Sequence, residues 1–478
     1  MKISVQPGTT PALAGSDRWW LVIAATTILA IAIAASVAGT NWILVVALLV
    51  LPILVLRPRE LCLGVYAFLL PFDALTAVGP EGLTLTLIAG AAVAAILLGT
   101  ALVKKDLHRP PRQAIWWALF VAWAAVTVLW ALEWKPAISR LPTAVSLLSL
   151  YLVVLSTNIS RKELRTISLF VVAGACPAAV YTIFLFYGGA GYHGTTRASL
   201  MAGGKAADPN YFAASLLLPL SLAVHGFLTP RSRLARLGWL VAAATLVFGI
   251  LVTMSRGSLV AVAVMILFYM YTHQVSRRMT IPLVAIFVAL AFVLPGAFFT
   301  RLQNAADDGG SGRTVIWEGG LVAFEHYALL GAGLNNFPYA YREHIGSAPL
   351  LEGKQSATPA HNSYLEIAVD TGVVGLALML AAIVGQLRAA SRCRKNVPDK
   401  IGGVIVAYEA ACYAILVAAF FIGVMWDKWF WLAWMLLAVA VRTAQEEQRG
   451  EARTAVAEPA TLRWYDWPVR SAPRARLP

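Results

Sequence analysis

The sequence predicts an all-α membrane protein, a bundle of about 12–14 transmembrane helices carrying one long external loop with short amphipathic helices. Three observations lead there. Of 478 residues, 59% are hydrophobic and 13% charged, and the mean hydropathy is +0.71. Apolar runs of about 17–25 residues recur along the chain, the length that crosses a bilayer as a helix. The runs are continuous and do not alternate, which excludes a membrane β-barrel. In hydrocarbon every backbone N–H and C=O must pair internally, so each run must be helical.

Taken in order, residues 1–18 form a polar N-terminal tail and 19–299 a transmembrane helical region. Residues 300–360 form a long loop, 361–444 a C-terminal set of transmembrane helices, and 445–478 a tail expected to be disordered. Spans are expected at 19–39, 41–56, 61–78, 83–103, 113–132, 141–159 and 164–187. They continue at 209–228, 235–254, 257–273, 281–299, 361–387, 403–424 and 428–444. The third contains Pro71 and Asp73 and is expected to bend or re-enter. The span at 141–159 is short. No internal repeat is visible.

Charge orients the bundle. Lys and Arg crowd alternate connections: Arg57 and Arg59, Lys104 to Arg112, Arg161 to Arg165, Arg231 to Arg236, Arg277 and Arg278, Arg388 to Lys400. With both tails, these hold most of the 38 basic residues, which places the tails in the cytoplasm. The net charge of +14 is thereby explained by topology and anionic membrane lipid, and nucleic acid is not expected as a partner. Cys62, Cys176, Cys393 and Cys412 lack metal-ligand spacing and read as buried bystanders.

The informative residues fall on the opposite, outer side. Arg256 sits in Leu251–Leu259 between two apolar runs with almost no linker. An arginine at membrane depth costs about 2.5–3.5 kcal/mol, tolerated where it lines a wet cavity or meets an anion. The connection 188–210 holds His193, Arg197 and Asp208-Pro209-Asn210, and Asp208 is suited to cap the next helix. Residues 300–360 are too many for a passive link. Arg313 to His326 has helical periodicity, with Val315, Ile316, Leu321, Val322 and Phe324 expected toward the membrane. Asn335 to His344, including Arg342, suits a second short helix after Gly331-Ala332-Gly333. His361 then stands at the mouth of a span, with Asn362 and Glu366 four residues apart on one helix face.

Several arginines on one membrane face suit a diphosphate, because guanidinium groups bind phosphate oxygens bidentately and stay charged. A histidine can take a proton from a hydroxyl. The chain contains no Asp-x-Asp motif, which argues against a divalent-metal mechanism, and no cofactor is expected.

Four stretches resemble the O-antigen ligase and polymerase superfamily of bacterial envelope glycosyltransferases. They are Asp208-Pro-Asn-Tyr-Phe-Ala, Met254-Ser-Arg-Gly-Ser-Leu, Gly312-Arg-Thr-Val-Ile-Trp with Leu330-Gly-Ala-Gly-Leu-Asn-Asn-Phe, and His361-Asn-Ser-Tyr-Leu-Glu with Gly372-Val-Val-Gly-Leu. Together they cover about residues 205–385. One departure stands out: the proline usual before the Leu-Gly-x-Gly turn is absent from Glu325–Leu329. The resemblance implies a multi-pass protein of the bacterial inner membrane with its site facing the periplasm. It implies metal-independent, inverting transfer of a glycan from undecaprenyl diphosphate to an acceptor hydroxyl. The acceptor is a lipid A-core sugar in ligases and another lipid-linked repeat in polymerases. His361 would activate the hydroxyl and Arg256 would hold the diphosphate. Arg197 and Arg313 would contact phosphate or glycan. From their own positions on the same face, Arg342, Asn210, Asn362 and Glu366 are further candidates for substrate binding. Two other readings predict different features. A transporter of lipid-linked substrate would have internal repeats and midplane charges. A glycosyltransferase acting on peptidoglycan precursors would place a catalytic acid such as Asp307, Asp308 or Glu318 in the long loop.

Overall fold

The computed structural model describes residues 58–76, 84–192, 195, 197–202, 205–229, 232–272, 313–345 and 358–457. The spans expected at 19–39, 41–56 and 281–299, together with His193, Asp307 and Asp308, lie outside the described residues.

The described chain is a polytopic bundle of helices with almost no sheet. Helix α1 (Leu63–Leu69) is followed by α2 (Leu85–Val103), α3 (Ala114–Val126), α4 (Trp134–Ser156) and α5 (Arg161–Tyr187). A small hairpin, β1 (Met201–Ala202) and β2 (Lys205–Ala206), precedes α6 (Pro209–Ser215) and α7 (Leu217–Leu228). Next come α8 (Arg233–Val252), α9 (Arg256–Tyr271), α10 (Arg313–Tyr327) and α11 (Phe337–Ile345). Helices α12 (Ser363–Asn396), α13 (Asp399–Ala418) and α14 (Lys428–Ala457) close the bundle. Among the described residues, seven helical segments are long and apolar enough to cross a membrane.

Local sequence explains many of the starts. Ser160 and Glu163 form a reciprocal capping box at α5. Thr84 and Ser232 cap α2 and α8. Asp208 caps α6, accepting the N–H groups of Asn210 and Tyr211, with Pro209 in the first turn where its missing N–H does no harm. The expected third span is broken: α1 gives way to a 3₁₀ segment, Leu70–Thr76, which contains Pro71. Two boundaries differ from expectation. The span expected from 141 begins at Trp134, because Pro136 falls in a first turn that tolerates it. Helix α14 continues to Ala457, past the point where a loose tail was expected. Its Arg442–Glu446 pair at 2.9 Å and the Arg161–Glu447 pair at 3.0 Å support the polar extension.

Helix α9 packs on α13, α12 on α3, and α1 on α5. Deep in the bundle, Gln386 accepts hydrogen bonds from Trp117 Nε1 and Tyr151 OH, both at 3.0 Å. Its amide donates to the Trp434 carbonyl, so both ends of a polar side chain among apolar ones find partners. Large apolar side chains such as Phe184, Leu234 and Leu267 point outward, as lipid-facing residues do.

The connections gather at two ends. At one, Arg59 bonds Asp106 and the Asn158 carbonyl, and Arg442 bonds the carbonyls of Leu155 and Thr157. At the other, Lys428 Nζ donates to both Asp73 oxygens at 2.9–3.0 Å and to Thr84 Oγ1 at 2.8 Å. The same end holds Lys205, whose Nζ reaches the Leu75 carbonyl, the short helices α10 and α11, and the start of α12.

Candidate functional site

The site is assembled from turns and helix ends. Thr253-Met254-Ser255 turns the chain sharply between α8 and α9, with Met254 at a positive φ of 52°. Arg256 is the first residue of α9, and Ser255 offers that helix no side-chain cap. The N–H groups of a first helical turn have no intrahelical partners, and the helix dipole is positive there. An uncapped helix start beside an arginine is a natural anion seat.

Arg197 is tied into the same corner. Its Nε donates to the Thr253 carbonyl at 3.0 Å and its Nη2 to Asn210 Oδ1 at 2.8 Å. Arg313 opens α10, its guanidinium 6.0 Å from the centre of the Phe421 ring. Trp317 Nε1 donates to the Ala360 carbonyl at 3.1 Å, which holds α10 against the residue before His361.

His361 has φ 47°, a left-handed conformation that histidine visits more readily than bulky residues. Asn362 accepts from the N–H groups of Tyr364 and Leu365 at 3.0 and 3.1 Å and so starts α12. The Ser363 hydroxyl donates to the Ile422 carbonyl and accepts from Val424 N–H, each at 2.8 Å. That pair of bonds brings the α13–α14 connection beside His361. Nδ1 of His361 is buried and has no hydrogen-bond partner among the described residues. Burial and the positive Arg313 push the His361 imidazole below the ordinary histidine pKa, opposed by Asp208.

These pieces line one cavity of about 230 Å³. Arg197, Asp208, Asn210, Arg256, Arg313 and His361 supply its polar wall, with Ser255 and Ser258 from the start of α9. Ile316, Phe421 and Ile422 supply its apolar wall. Of the expected site residues, Arg197, Asn210, Arg256, Arg313 and His361 thus come together. Arg342, Asn362 and Glu366 do not line the cavity. Arg342 is exposed on α11, its guanidinium 5.4 Å from the Tyr339 ring centre. Asn362 is occupied as a helix cap, and Glu366 packs against Gly423. The apolar face of α10 is also divided. Leu321 and Val322 are exposed, whereas Ile316 and Phe324 turn inward onto a small core around Phe337 and Tyr341.

Two features were not legible as site components. The uncapped start of α9 is a backbone property with no side-chain signature. Phe421 and Ile422 belong to an apolar run that looks like ordinary span. Among the described residues, no group of three or more metal-ligand side chains is suitably placed for an ion.

Residues 240–380 match the family model described as O-antigen ligase. Over those residues the chain is O-antigen ligase-like. The match spans Arg256, Arg313 and His361, with the break in α12 described below. Arg197, Asn210 and the Ala418–Ile422 wall of the cavity lie outside it. The matched family is one of glycosyltransferase-like ligases and polymerases. No curated protein matches the chain.

Proposed function

We propose that the chain is an O-antigen ligase-like glycosyltransferase of the bacterial inner membrane, moving a glycan from undecaprenyl diphosphate to an acceptor sugar hydroxyl at the periplasmic face. The observation that carries this reading is one cavity shared by Arg197, Arg256, Arg313, an uncapped helix start and His361 with a partnerless ring nitrogen. The arginines and helix start hold the diphosphate. The acceptor oxygen forms a bond to the anomeric carbon as the bond from that carbon to the diphosphate oxygen breaks. The bonding pair leaves on the diphosphate, where guanidinium groups stabilise the developing charge. The hydroxyl proton passes to His361, whose neutral form is favoured by burial and by Arg313. No step calls for a metal. A lipid A-core sugar as acceptor makes the protein a ligase. A second lipid-linked repeat makes it a polymerase, running the same chemistry on the same groups. The prenyl tail stays in the surrounding membrane lipid.

Replacing His361 by Ala tests the reading. Transfer from a lipid diphosphate donor should fall by at least about a hundredfold, the usual worth of a general base, with membrane abundance unchanged. Transfer at the parental rate would remove His361 from the mechanism. Arg256→Lys should also be poor, because an ammonium lacks the guanidinium fork. Normal donor KM in that variant would exclude bidentate binding by Arg256. Gel profiles of envelope glycans from a deletion strain separate the two acceptors: loss of all polymer from lipid A-core marks a ligase, retention of one repeat a polymerase.

A further inference from the structure

Helix α12 is interrupted about two and a half turns from its start at Ser363, at Gly372. Gly372 has φ 67° and ψ −173°, which frees backbone groups that a continuous helix would use internally. The turn Leu329–Phe337 of the outer loop plugs into this break. Ala332 N–H donates to the Val369 carbonyl and Gly333 N–H to the Asp370 carbonyl, while Val373 N–H donates to Ala328. The Asp370 side chain completes the joint. It accepts from Asn335 N–H at 2.8 Å, Asn336 N–H at 2.9 Å and Phe337 N–H at 2.6 Å. Those are the donors at the entry to α11. Asp370 is 0% exposed, so these bonds stand in for water at its carboxyl oxygens.

Asp370 does not line the cavity. The turn it grips is, however, the end of α10 opposite to Arg313. Fifteen residues separate the ends of that helix, roughly 22 Å of rigid rod at 1.5 Å per residue. The rod also touches the site midway, through Trp317 and the Ala360 carbonyl.

We propose that Asp370 is a positioning residue: by locking the Leu329–Phe337 turn into the break of α12 it sets α10, and through α10 the placement of Arg313 in the cavity. The proposal rests on the transfer reaction above for its kinetic consequence, but not for its geometric one. Asp370→Asn keeps the shape and replaces one accepting oxygen by an amide that faces backbone donors. Donor KM should rise about tenfold, the worth of one charge-assisted hydrogen bond, with kcat within about twofold. The double variant Asp370→Asn/Arg313→Ala should match Arg313→Ala alone within about twofold, since both act through one contact. Multiplying effects would overturn the proposal. A second readout needs no activity. Spin labels at the exposed Leu321 and Phe420 should give a narrow distance distribution in the parent and a broadened or displaced one in Asp370→Asn. An unchanged distribution overturns the proposal whatever the reaction proves to be. A protein that keeps this geometric response yet transfers nothing from a lipid diphosphate would instead remove the proposed reaction. If Asp370→Asn fails to fold, Asp370→Glu, which retains the charge on a longer arm, carries both readouts under the same criteria.

Discussion

At the scale of single residues, the proposed chemistry turns on a histidine whose surroundings oppose its charge. Arg313 and burial both disfavour the imidazolium, and Asp208 favours it. The protonated fraction of His361 grows as pH falls through its depressed pKa, so transfer should persist to pH values below the usual histidine range of about 6.5 and fail only beneath it. The neighbours give this prediction its sign. Arg313→Ala should move the acid limb of kcat/KM upward. Asp208→Asn should move it downward while preserving the helix cap, because asparagine also caps well. Both shifts can be read from pH–rate profiles. Limbs that stay together in all three proteins would show that His361 is not the titrating base.

At the scale of elements, residues 313–345 of the long loop are a built part of the bundle. The Gly331-to-Phe337 turn lies between α12 and the α3–α4 connection, where Leu132 N–H donates to Ala332 and Asn336 exchanges bonds with Glu133. Gly372 has a left-handed conformation, and a Cβ there would meet the Leu329 carbonyl oxygen at 2.3 Å. Gly372→Ala should therefore destabilise the protein by at least about 1–2 kcal/mol, the cost of the left-handed conformation alone. The check is its thermal midpoint in detergent. A midpoint equal to the parent would show that the break in α12 relaxes easily.

At the scale of the whole molecule, the hydrogen bonds sort the connections into two ends that agree with the alternation of basic residues along the chain. Arg59, Arg161 and Arg442 secure one end, and the Lys428–Asp73 pair the other. Single cysteines replacing Arg109 and Lys205 should therefore react with an impermeant maleimide from opposite sides of intact cells, with Lys205 labelled from outside. Labelling of both from one side would overturn the topology. In the proposed reaction, such a topology lets a lipid-borne donor reach the cavity from the bilayer and a polymeric acceptor from beyond it.

How much of this was legible in the sequence follows from where each signal lies. Apolar run length and basic alternation are properties of consecutive residues, so the helical membrane class and the grouping of connections could be read directly. Capping by Asp208 and the helical character of Arg313–Tyr327 were legible for the same reason. Arg197, Arg256, Arg313 and His361 stood out because each is polar at the border of apolar chain. Their convergence on one cavity is a matter of packing between α6, α9, α10 and α12, which no local pattern encodes. Packing also separated the residues that looked alike. Asn362 turned to its own helix, Arg342 to solvent and Glu366 to Gly423, while His361 and Arg313 turned to the cavity. Asp370, one acid inside an apolar helix, signals that it needs partners but not which ones. Its meaning appears only when a distant turn brings three N–H donors to it, because the bonds that satisfy a buried carboxyl are made between parts of the chain that are remote in sequence.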